Sequence, residues 1–168
     1  DLMACRSDMM SFSRRGVLLG SAALALAGRA NAAAPPQRIA AIDWAMLETA
    51  VALGVMPVAA TELIQFRKDA VEPAIPDNVI DLGLRGSVNL ELLHLVKPDL
   101  ILISPFYTRH EATLSAIAPT LSLPFYVKGE PPFEKALGAV RALGERLGRS
   151  QEAAHVETDI RAALETMR

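Results

Sequence analysis

Residues Asp99-Leu100-Ile101-Leu102-Ile103-Ser104 form a nearly unbroken apolar run between Lys97-Pro98 and Pro105. A strand with one wet face alternates polar and apolar side chains. This run does not alternate, which is the signature of a strand covered on both faces. From Ala33 onward, short β-like runs alternate with helical ones, the pattern of βα units around a parallel sheet. The predicted class is α/β, a mostly parallel sheet with helices on both faces. A chain of 168 residues that is 51% hydrophobic suits one packed domain.

Arg38 to Asp43 reads as the first strand, and Trp44 to Leu53 as a helix capped by Asp43 and ended by Gly54. Val55 to Ala59 reads as a second strand, with Pro57 suiting an edge position. Thr61 to Lys68 fits no single pattern, and Glu72 to Asp77 is a proline-rich connector. Val79 to Leu82 then reads as a buried strand, Gly83 to Gly86 as a turn, and Asn89 as the cap of a short helix ending at Val96. Pro105 to His110 reads as a loop, Glu111 to Ala118 as a helix, and Leu121 to Tyr126 as a strand interrupted by Pro124. Phe133, Leu137, Val140, Gly144 and Leu147 share one helical face, which Gly148 ends. Val156, Ile160, Ala163, Leu164 and Met167 form a last stripe with no stop signal before Arg168, so it reads as a helix cut partway.

The first 32 residues read as a separate segment. Ser13-Arg14-Arg15-Gly16-Val17-Leu18 is a twin-arginine pattern, followed by an apolar run to Ala27 and by Ala30-Asn31-Ala32, a small-x-small cleavage site. The apolar run falls short of the roughly 20 residues that cross a bilayer. The expectation is a cleaved export signal, with Met9 or Met10 as the true start. Its removal takes Cys5, the only cysteine, so the exported part keeps neither disulfide nor thiolate ligand.

Charge and motif content narrow the functional classes. The formal charge of −2 is spread without basic runs, which argues against a nucleic-acid surface. His94, His110 and His155 lack the spacing of a metal site. The Gly83-Leu84-Arg85-Gly86 turn has neither phosphate-cradle spacing, and there is no Gly-x-Ser-x-Gly elbow. What remains is a cation at the C-terminal edge of a sheet, where open α/β folds place their ligands. If the strands before them are parallel, Arg85 and Tyr107 leave the sheet on one side and define a site. Taken singly, Trp44 and Tyr107 are better explained by packing, and Glu111 by the dipole of its helix.

Residues Pro76 through Arg85 and Asn89-Leu90-Glu91-Leu92-Leu93 closely resemble the periplasmic iron(III)-hydroxamate (ferrichrome) binding proteins of siderophore ABC importers. Agreement extends through Arg38 to Trp44, Lys97-Pro98-Asp99, Ser104, Tyr107 and Ile117-Ala118-Pro119. The resemblance implies two α/β lobes joined by one long helix, with ligand in the cleft between them. Residues 1–32 would be the twin-arginine signal, 33–150 the N-terminal lobe, and 151–168 the start of the connecting helix, with a second lobe beyond. It implies a monomeric periplasmic carrier, not an enzyme, that delivers ferric hydroxamates to an inner-membrane ABC permease. Arg85 and Tyr107 would hold the hydroxamate oxygens and Trp44 would line the cleft wall. No cofactor or protein metal ligand is implied, because the siderophore itself holds the iron. The chain departs from the pattern at Asp69, where the family carries a second tryptophan. Glu111, one position from the family's permease-facing glutamate, is the candidate permease contact. Alternatives are a carrier of haem, cobalamin or a catecholate siderophore, and an α/β enzyme using the same strand ends.

Overall fold

The computed structural model describes residues 34–70 and 72–167; the twin-arginine segment lies outside the described residues. In chain order the elements are β1 (Ile39–Ala41), α1 (Trp44–Ala52), β2 (Ala59–Ala60), α2 (Leu63–Asp69), β3 (Ile80–Asp81), β4 (Gly83–Leu84), β5 (Ser87–Val88), α3 (Leu90–Val96) and β6 (Leu100–Ile103). A single 3-10 turn at Pro105–Tyr107 leads into α4 (Thr108–Ser115), followed by β7 (Thr120–Ser122), α5 (Pro132–Leu147) and α6 (Ser150–Thr166).

Five strands make one sheet in the order β3-β2-β1-β6-β7, and every neighbouring pair is parallel. β6, the apolar run, sits inside the sheet with all four residues buried. Its side chains alternate between two cores. Leu100 and Leu102 join Ile39 and Ala41 against Met46, Leu47 and Phe66 on one face, with α5 contributing Leu143 and Leu147. Ile101 and Ile103 join Ala40 and Ile42 against Leu93 and Leu114 on the other. Both faces are therefore covered, and the alternation of a strand explains how one apolar run feeds two cores.

The chain lays β2 and β3 on one side of β1, then crosses to lay β6 and β7 on the other. The strand order reverses between β1 and β6. In open α/β sheets that reversal opens a crevice outside the C-terminal strand ends.

Several elements differ from the sequence expectation. β2 is an interior strand confined to Ala59–Ala60, so Pro57 lies before the ladder instead of on an edge, and its missing N–H removes no ladder bond. β3 is the edge strand: Val79 and Leu82 are buried, but Ile80 between them is 39% exposed. The turn after it is not a direct strand-to-helix connection, because β4 and β5 form a small antiparallel hairpin with Arg85 and Gly86 at its tip. Thr61 to Lys68 resolves into α2, and α4 starts three residues earlier than expected, taking Arg109 and His110 into its first turn. Asn89 caps α3 as expected, its Oδ1 accepting from Leu92 N at 2.9 Å.

Candidate functional site

Four strand ends converge on the C-terminal edge of the sheet. β1 runs out into Asp43 and Trp44, β2 into Thr61 and Glu62, β3 into the Arg85 hairpin, and β6 into Ser104 and Tyr107. Asp43 spans the reversal of strand order: Oδ1 accepts from Ala45 N at 2.8 Å and Met46 N at 3.2 Å, while Oδ2 accepts from Ser104 Oγ at 2.8 Å. One carboxylate thus caps α1 and ties β1 to β6.

Arg85 is held on three sides. Its Nε donates to Glu62 Oε2 at 2.7 Å, and its backbone N donates to Glu62 Oε1 at 3.1 Å. The guanidinium carbon lies 4.3 Å from the centroid of the Trp44 ring, a cation–π stack. Trp44 is fixed in turn by Nε1 donating to Thr61 O at 3.2 Å and by an edge-on contact with Phe66 at 5.1 Å between centroids. Thr61 is fully buried, and its hydroxyl donates to Ile42 O at 2.7 Å.

The Tyr107 phenol lies close enough to the guanidinium to feel its charge. Burial pushes the Tyr107 phenol above its ordinary value of 10.0; the carboxylates of Asp43 and Glu62 push the same way, and Arg85 opposes them. Tyr107 accordingly remains a neutral O–H at physiological pH. The site offers a guanidinium, a phenol and an indole face, a set suited to an oxygen-rich ligand with an organic skeleton. Beside it, Asp43, Ser104, Phe106 and Tyr126 help line a groove of ≈ 290 Å³. Phe106 is 77% exposed and Tyr126 61%, so large aromatic faces flank the site in open solvent.

The structure brings Arg85, Tyr107 and Trp44 together. Glu111 sits on the first turn of α4, where its carboxylate accepts from Thr120 Oγ1 at 3.3 Å. His94, His110 and His155 lie on three different helices, α3, α4 and α6. Among the described residues no group of His, Cys, Asp or Glu is placed to hold a metal ion. Sequence reasoning missed Glu62 and the second role of Asp43. Glu62 fell in the one segment without a clear period, and nothing local to it signals a partner 23 residues away.

Comparison with known proteins places these features in a family. The sequence pattern of the periplasmic binding proteins matches residues 39–168. The chain is 34% identical over 145 residues to the iron(3+)-hydroxamate-binding protein FhuD of Escherichia coli (strain K12), covering 84% of this chain and 49% of that protein. Its fold is similar to that of the siderophore-binding protein FhuD from Vibrio cholerae, solved with Fe3+–Desferal, at a TM-score of 0.73 and 30% identity, covering 77% of this chain and 49% of that one. Staphylococcus aureus SirA, solved with staphyloferrin B, is similar at a TM-score of 0.58 and 27% identity, covering 76% and 42%. The chain spans about half the length of the Escherichia coli relative and less than half of SirA. The Escherichia coli relative is named a hydroxamate-binding protein and the Vibrio cholerae one a siderophore-binding protein. With a matching pattern over residues 39–168 and a parallel five-stranded sheet, this chain belongs to the periplasmic binding protein family.

Proposed function

We propose that this chain supplies the N-terminal lobe of a periplasmic carrier that captures ferric hydroxamate siderophores and hands them to an inner-membrane ABC permease. Residues 33–150 form the lobe and residues 151–168 begin the connecting helix, with residues 1–32 serving as a twin-arginine export signal. The carrier acts as a monomer and needs no cofactor, since the siderophore brings its own iron. Arg85 and Tyr107 donate to the hydroxamate oxygens, Trp44 covers part of the organic scaffold, and Glu111 faces the permease.

The observation that carries this reading is the stacking of Arg85 on Trp44 with Tyr107 within range of its charge, all at the edge where the strand order reverses. Ionised hydroxamates keep partial negative charge around ferric iron, and a planar fork of N–H donors matches paired oxygens. The hydroxamate ligand class is supported by the Escherichia coli and Vibrio cholerae relatives, one named for hydroxamates and the other solved with Fe3+–Desferal.

Trp44 is the only tryptophan in the chain, so its emission reports on this site alone. Ferrichrome is expected to quench it on titration. Losing a charge-assisted hydrogen bond in Arg85→Ala should weaken binding by about tenfold or more. Equal quenching curves for the two proteins would refute the assignment.

A further inference from the structure

Glu62 makes contacts that its position in the chain does not require. It precedes α2 and would ordinarily cap that helix, yet its side chain accepts no N–H from it. Asp81 does that work from β3, with Oδ2 accepting from Ile64 N at 3.3 Å. Both Glu62 oxygens instead go to Arg85, one to the backbone N and one to Nε. To present them, Glu62 adopts the left-handed conformation (φ 52), which disfavours a residue with a Cβ, and its backbone N donates to Gly83 O at 2.8 Å. The Glu62 side chain is 18% exposed and that of Arg85 35%, so the pair is partly withdrawn from water.

Resting on the function proposed above, we infer that Glu62 is a positioning residue that sets the charge selectivity of the site. It locks the guanidinium against Trp44 while offsetting its charge, so the site favours electrically neutral ferric complexes over anionic ones. The surroundings point the same way. The carboxylates of Asp43 and Glu62 and the guanidinium of Arg85 all act on Tyr107, and Glu62 is bonded directly to that guanidinium. An isolated arginine would draw in any anion. Here the guanidinium keeps its directional N–H donors but little net attraction. The core of a ferric trihydroxamate, three monoanionic hydroxamates on Fe3+, has no net charge and meets only the donors. A ferric tris-catecholate is strongly anionic, and at Arg85 it meets a guanidinium whose charge the Glu62 carboxylate already offsets. Hydrogen bonding and charge are thereby separated at one side chain, which is how a cation can serve a neutral ligand specifically.

The test titrates ferrichrome, which is neutral, and ferric enterobactin, which is anionic, into the 168-residue chain while Trp44 emission is followed. Glu62→Gln keeps an acceptor for Arg85 and removes the charge. It should hold ferrichrome affinity within about threefold and tighten ferric enterobactin about tenfold, a like-charge repulsion at close range being worth at least that much. Glu62→Ala frees the guanidinium and should weaken ferrichrome about tenfold. An independent readout is the alkaline titration of Tyr107 in a Tyr126→Phe background, whose midpoint should fall in Glu62→Gln if the carboxylate acts on the site. An unchanged midpoint, or an unchanged ratio of the two affinities, would overturn the role assigned to Glu62 while leaving the carrier function intact. Failure of the parent chain to bind either complex would overturn the carrier reading and this inference with it.

Discussion

Tyr107 carries a consequence for stability at high pH. Below pH 10 its phenol is protonated in folded and unfolded chains alike, and burying it brings no ionisation penalty. Above that value the unfolded phenol releases its proton while the folded one resists, because burial disfavours the anion and Asp43 and Glu62 repel it. The raised folded value thus makes a contribution that is complete below pH 10 and is lost as pH climbs through the folded value. Tyr107→Phe should lose less stability than the parent chain between neutral and strongly alkaline pH, measured as urea midpoints along a pH series; parallel losses would contradict this. At this scale the sequence was readable where a residue acts on its neighbours. Asp43 was recognisable as a helix cap because its partners Ala45 and Met46 follow it directly. Its bond to Ser104, 61 residues on, depends on β1 and β6 lying side by side, which no local pattern records.

Among the elements, the 16-residue α5 was the most legible, since Leu137, Val140, Leu143, Gly144 and Leu147 are buried at helical spacing. Gly144 belongs to that face for a reason periodicity does not express. A Cβ built there would lie 2.6 Å from Ala153 Cβ and 3.0 Å from Arg149 O, and Gly144 O accepts from Arg149 N at 2.6 Å. The glycine lets the start of α6 press against the end of α5. Gly144→Val should force the two helices apart and cost about 1–3 kcal/mol, the usual range for overpacking, read from a denaturation midpoint. No loss would mean the helix pair adjusts freely. On α6 the apolar stripe is present, but only its beginning is packed: Val156 rests against the core, while Ile160 is 37% exposed, Leu164 38% and Met167 74%. Amphipathic spacing indicates which side is apolar and says nothing of what covers it.

For the molecule as a whole, stability and binding are held by different layers. Leu102 is fully buried in β6, aligned with Ala41 on one side and Leu121 on the other. Leu102→Ala should cost about 2–5 kcal/mol by opening a cavity at the centre of the sheet. Arg85→Ala removes a partly exposed ion pair and should cost under about 1 kcal/mol while sharply weakening binding. Urea denaturation and Trp44 titration of both variants would separate the two effects, and a large stability loss in Arg85→Ala would show the cluster to be structural.

Hydrophobic order along the chain was enough to specify an α/β fold. The β6 run demanded cover on both faces, and the later helices displayed their apolar sides, because burial leaves a period of two or 3.6 in the residues themselves. Strand order left no such trace. Whether β2 lies at an edge or inside, and whether Glu62 meets Arg85, depends on which strands pair, and pairing is a relation between distant segments. The site exists because β1, β2, β3 and β6 all end on one edge of the sheet, and that arrangement was decided only when the two cores packed.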